Sequence, residues 1–152
     1  MNKIFILPSA ELNRVHPLIP KFLEEFGHPE PFNACSFNHF WAVLYGADMG
    51  RILVVEIDNK IVGALGYSMH TDPYTGVKVV SEQFWYVDPE YRSSGIGINL
   101  IGTFERRAQE LGADWIFLCN LAGLRGEKMD QLYTRKGYKQ MERVYWKKVE
   151  GK

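Results

Sequence analysis

Six residues in the middle of the chain have the types and the spacing to do chemistry: Arg92-Ser93-Ser94-Gly95-Ile96-Gly97. They follow the apolar run ending at Val87 and a turn opened by Pro89, and they lead into an apolar pattern of helical period. Orphan amides at a helix N-terminus hold a phosphate, and glycine lets that phosphate approach the backbone with no side chain in the way. Arg92 would add a charge-assisted contact to such an anion. The same spacing also serves turns in which glycine is used for packing alone, so both readings stand at this point. Two familiar phosphate loops are excluded. No Gly-Lys-Ser/Thr follows, as a Walker loop requires, and the Gly-x-Gly-x-x-Gly of a dinucleotide site is absent.

A loop of this kind needs a strand before it and a helix after it. The helix is read from Ile96, Leu100, Phe104, Ala108 and Leu111 on one stripe, with Glu105, Arg106, Gln109 and Glu110 on the other side and Gly112 as a left-handed cap. The strand is the last member of a meander. Ile52–Ile57 and Ile61–Met69 flank the polar turn Asp58-Asn59-Lys60, and after TDPYTG comes Val77–Val87. Gly63 and Gly66 weaken the second of these strands, or mark a bulge or a close approach. Toward the N-terminus, Lys3–Leu7 reads as a strand closed by Pro8. Leu12, Val15, Ile19, Phe22, Leu23 and Phe26 keep helical spacing that Pro17 and Pro20 interrupt, and Ser36–Leu44 reads as a helix capped by Ser36. Toward the C-terminus, Asp114–Cys119 is a short apolar strand of central type, Glu127–Lys136 a helix stopped by Gly137, and Tyr138–Val149 an alternating last strand.

The chain has 152 residues, 46% hydrophobic and 24% charged, which is one domain's worth and excludes a disordered or fibrous protein. Its 18 Lys+Arg against 18 Asp+Glu argue against a nucleic-acid or anionic-membrane binder, because those partners reward a basic face. Cys35 and Cys119 lie far apart in apolar surroundings and read as buried thiols of a reducing compartment, neither of them a nucleophile. The opening run MNKIFIL is too short for a signal peptide or a membrane span, so a cytoplasmic protein is expected. His16, His28 and His39 show no metal-ligand spacing, and no metal is expected. His70 and Asp72 are polar candidates for a cleft, whereas Glu56 reads as an ordinary strand residue. Phe32, Phe37, Phe40, Trp41, Tyr67, Phe84 and Trp85 include core residues and candidate pocket lining.

The run YVDPEYRSSGIG resembles the acetyl-CoA signature of the GCN5-related N-acetyltransferases, Gln/Arg-x-x-Gly-x-Gly/Ala after the fourth strand. Leu132-Tyr133-Thr134-Arg135-Lys136-Gly137-Tyr138 is similar to that family's Leu-Tyr-x-x-x-Gly-Phe/Tyr element, and the resemblance covers the C-terminal half firmly and the whole chain loosely. It implies a single domain over 1–152 of α+β class: three layers, α/β/α, around the mixed, mostly antiparallel sheet of the acyl-CoA N-acyltransferase fold.

The resemblance also implies roles. Tyr86 and Val87 would bind the pantetheine arm of acetyl-CoA through backbone groups, the amides of Arg92, Ser93, Ser94, Gly95, Ile96, Gly97 and Ile98 would hold the pyrophosphate, and Asn120 would contact the cofactor arm. Tyr133 would protonate the departing thiolate. Some members place a base glutamate on the fourth strand, and Glu82 is the candidate here, although alignment to the histone-modifying members sets Ser81 at that position. A one-residue difference turns a strand side chain to the other face. Each role has a plain rival: a core tyrosine at Tyr133, a loop cap at Asn120, a solvent-facing Arg92 and a surface Glu82. The implied reaction is direct acetyl transfer in a ternary complex to an amine-bearing small molecule or peptide, with a homodimer left open. A non-catalytic acyl-CoA-binding or regulatory domain, or an interaction protein that kept only the fold, are the alternatives.

Overall fold

The structure is a computed structural model that describes residues 2–121 and 123–152, in two compact units, Met1–Cys119 and Asn120–Lys152. The first holds a five-stranded sheet of β1 (Lys3–Ile6), β2 (Gly50–Ile57), β3 (Lys60–Thr71), β4 (Lys78–Val87) and β5 (Trp115–Phe117), adjacent in that order. The first three pairings are antiparallel and the last is parallel. Asp58 and Asn59, at φ 48° and 63°, close the β2–β3 hairpin, the double left-handed pair that a tight two-residue turn requires. Asp72 closes the β3–β4 turn by accepting from Tyr74 N, Thr75 N and Thr75 Oγ1.

Helices cover both faces in the expected three-layer α/β/α arrangement. On one side lie α1 (Leu18–Phe26) and α2 (Ala34–Gly46), and on the other α3 (Ile96–Glu110). The interrupting prolines have a clear effect: residues Ser9–Val15 form a 3-10 segment, and α1 starts afresh after Pro17 with Pro20 in its first turn, where no donor is lost. Asn33, rather than the expected Ser36, caps α2 by accepting from Ser36 N at 2.9 Å, so the helix begins two residues earlier than expected. Gly66 is a close approach: a Cβ there would stand 2.5 Å from two carbons of the Trp41 indole and 2.6 Å from Phe84. A bulge falls beside it, pairing Gly66 with Phe84 and Tyr67 with Glu82 and leaving Gln83 as the extra residue.

The expected central strand Asp114–Cys119 is formed only at Trp115–Phe117 and comes last in the strand order, with Trp115 62% exposed. In the second unit, α4 (Gly126–Arg135) matches its expectation, but residues 138–149 form no strand. Met141, Val144, Tyr145, Trp146 and Val149 are exposed, and an alternating pattern with no ladder and no buried face does not make a strand. The two cysteines also differ from expectation, since both are exposed. Among the described residues no helix is long and apolar enough to cross a membrane.

Candidate active site

The candidate site lies where β4 leaves its neighbour and the chain turns into α3. β5 pairs with β4 only at Val79, Val80 and Ser81. Past that point Cys119 N donates to the Glu82 carboxylate at 2.8 Å instead of to a strand carbonyl, and the ladder between β4 and β5 goes no further than Ser81. Where two parallel strands part in this way, an extended ligand can lie between them and bond to strand backbone.

From Val87 the chain passes through the 3-10 turn Pro89–Ser94 to Gly95, at φ 76°, ψ 5°, which caps α3 with no side-chain partner. The first helical bond to reach back is Asn99 N to Gly95 O, so the amides of Ile96, Gly97 and Ile98 are first-turn donors. A Cβ on Gly95 would meet no atom within 4 Å, which leaves an open cradle over them. The two glycines have different duties. Gly95 supplies the left-handed turn, whereas a Cβ on Gly97 would press to 3.2 Å from the Trp85 ring, so Gly97 lets α3 start hard against β4. The cradle and the parting of β4 from β5 together fit a ligand with a phosphate and an extended amide-bearing arm, as coenzyme A has.

Arg92 does not face solvent. Its Nη1 and Nη2 reach the two carboxylate oxygens of Glu25 on α1 at 2.8 and 2.6 Å, its Nε donates to Val87 O at 2.9 Å, and its guanidinium lies 5.1 Å from the Tyr86 ring centre. Tyr86 Oη donates to the same Glu25. Glu25 holds the Arg92 guanidinium above its usual range, and burial, then the same carboxylate, push the Tyr86 phenol up. With that charge already matched, the backbone is what Arg92 has to give a phosphate. A second tie from α1 joins Lys21 Nζ to Asp88 at 2.6 Å. Burial alone would raise the Asp88 pKa, but Lys21 and the Glu90 amide outweigh it and hold the carboxylate below its usual range. Sequence spacing could not reveal these ties, because the partners are 67 residues apart.

Glu82 is buried, not a surface residue, at 6% exposure. Burial pushes its carboxyl up to about 7 against the opposing pull of the Cys119 amide and thiol. A carboxyl poised there exchanges a proton near neutrality. His70 packs edge-on to Phe117, Asp72 is spent on its turn, and Glu56 pairs with Arg14.

In the second unit, Asn120 Nδ2 donates to Gly126 O at 2.9 Å and to Asp130 Oδ1 at 2.5 Å, while its Oδ1 is buried with no hydrogen-bond partner among the described residues. Tyr133 is buried on α4, its ring 6.0 Å from that of Tyr138.

Residues 13–138 match the family described as Acetyltransferase (GNAT) family. No curated protein sequence matches. A predicted acetyltransferase from Clostridium acetobutylicum, solved with acetyl-CoA, aligns with TM-score 0.78 over 99% of this chain and 96% of that one, at 16% identity. Ribosomal-protein-alanine N-acetyltransferase from Brucella melitensis biovar Abortus 2308 aligns with TM-score 0.74 over 98% and 99%, at 18% identity. Glucosamine-6-phosphate N-acetyltransferase from Arabidopsis thaliana aligns with TM-score 0.73 over 99% of both chains, at 15% identity. At such identities these likenesses show a shared fold.

Proposed function

The chain belongs to the GNAT acetyltransferase family and is an acetyl-CoA-dependent acetyltransferase, and we propose that it acetylates a primary amine of a small molecule or peptide by direct attack in a ternary complex. The observation that carries this reading is the open cradle at Gly95 beside the place where β4 parts from β5, past Ser81. In this reading residues 1–152 act as one catalytic domain.

Bound acetyl-CoA supplies an activated thioester carbonyl. The chain's residues do the rest. Amides from Arg92 through Ile98 neutralise the pyrophosphate, and the Tyr86–Val87 backbone holds the extended arm in line with the strand. A β4 amide near Val87 stabilises negative charge developing on the carbonyl oxygen. Glu82, with its carboxyl near 7, takes the proton that the amine must lose, directly or through water. The Tyr133 hydroxyl gives a proton to the departing sulfur, and Asn120 contacts the cofactor arm; the support for these two is the Leu-Tyr-x-x-x-Gly-Tyr element and its place after the fifth strand. No covalent acyl-enzyme is required.

The test is thiol release from acetyl-CoA with and without a panel of primary amines. Release that depends on amine and saturates in both substrates supports the reading. Tight acetyl-CoA binding with no amine-dependent release from any acceptor would instead identify a non-catalytic acyl-CoA-binding domain.

A further inference from the structure

On the α1–α2 side of the sheet, Phe22 of α1, Phe37, Phe40 and Trp41 of α2, and Gln83 and Phe84 of β4 line an open-mouthed hollow of about 190 Å³. Its floor is fixed: Trp41 is 2% exposed and Phe84 7%, and the indole fills the space that a side chain at Gly66 would take. Its mouth is wet, with Phe40 47% exposed and Gln83 at the surface, pinned through Nε2 to Ser68 Oγ at 2.7 Å. The bulge in β4 makes this mouth, because it turns Gln83 to the same side as Phe84.

No carboxylate lines the hollow. Of the charged residues of α1, Glu25 is matched to Arg92 and Lys21 to Asp88, and Glu24 stands exposed outside the lining. An acceptor with several ammonium groups would therefore lose hydration against aromatic carbon and meet no anion in return. Ring faces do attract a single cation, and the room suits a single ring, since a dry cavity of about 150 Å³ takes up benzene.

Resting on the acetyl-transfer reading, we propose that the acceptor is an amine carrying one flat apolar group, such as an arylalkylamine with a two- or three-carbon link. Its ring seats in the hollow, and its nitrogen reaches β4 at Gln83, the residue at the hollow's mouth and just past the end of the β4–β5 ladder.

Two measurements test this together. In thiol release with acetyl-CoA, kcat/KM for 2-phenylethylamine exceeds that for butylamine or spermidine by about tenfold or more, the range one added apolar group confers in a fitted pocket. Phe40→Ala, at a half-exposed position that the fold tolerates, erases that preference, and Gln83→Glu shifts it toward spermidine. Equal or better turnover of butylamine or spermidine overturns the proposal while leaving acetyl transfer intact. Separately, calorimetry of 2-phenylethylamine into the protein alone shows saturable binding that Phe40→Ala weakens. Absence of that binding overturns the seat, whereas binding without any acetyl transfer upholds the seat and sinks the transfer reading.

Discussion

Replacing Glu82 by Gln keeps the shape of the side chain and an oxygen for the Cys119 amide, and removes the one property on which the proposed mechanism draws, a proton acceptor near neutrality. Burial lifts this carboxyl from 4.5 to about 7. A group with that pKa is about one-tenth ionised at pH 6 and about nine-tenths at pH 8, so kcat/KM limited by it rises about tenfold between those values and then levels. Glu82→Gln loses the rising limb and about 10²–10⁴-fold in rate. Stability carries an independent signature. Because the folded-state pKa is raised, the protonated carboxyl's contribution is present in full below about pH 4.5 and is lost as pH rises through 7. The whole loss is about 3 kcal/mol at about 1.36 kcal/mol per pKa unit, most of it between pH 5 and 8. Urea unfolding at pH 5, 6.5 and 8 reads this for the wild type, and Glu82→Gln flattens the dependence. A variant with a flattened stability profile but an intact rate and pH limb would show that Glu82 is a buried structural acid and that the base lies elsewhere.

Gly95→Leu forces a side chain into φ 76° and over the first-turn amides, so it abolishes acetyl-CoA binding by calorimetry while costing about 1–3 kcal/mol of stability and leaving the circular dichroism spectrum unchanged. Tyr133→Phe keeps acetyl-CoA affinity and lowers kcat about tenfold or more if the hydroxyl is the thiolate's proton donor; loss of stability with an unchanged rate per folded molecule would make it a core tyrosine. Glu25→Gln breaks the two-point hold on Arg92 at the edge of the cradle. The pair is partly exposed, so stability falls by only about 1 kcal/mol, but KM for acetyl-CoA rises severalfold with kcat little changed, measured by thiol release.

Much of the cofactor half was legible because strand, turn and helix follow one another without interruption, and local spacing suffices to place Gly95 at the start of α3. The resemblance could not separate the two glycines, since the duty of Gly97 depends on the Trp85 ring across the turn. The α1 contribution was hidden for a similar reason: Glu25 acquires its meaning from Arg92 and Tyr86, which only the folded sheet brings to it. Glu82 was named but its burial was not, because part of its cover is the chain at Cys119, 37 residues further on, whose amide donates to its carboxylate. The alternation of residues 138–149 misled in the opposite sense, since a period of two describes a surface that a partner must still cover. The exposed thiols of Cys35 and Cys119 show the same limit, for apolar neighbours in sequence are not neighbours in space.

The central claim is that the β4 edge and the Gly95 cradle form a coenzyme A cleft. Calorimetric titration with acetyl-CoA, beside coenzyme A and adenosine diphosphate, tests it most directly. Acetyl-CoA and coenzyme A are expected to bind saturably, with adenosine diphosphate far weaker because it lacks the arm that lies along β4. No binding at millimolar acetyl-CoA would contradict it and leave the Gly95-x-Gly97 turn as a structural joint between strand and helix.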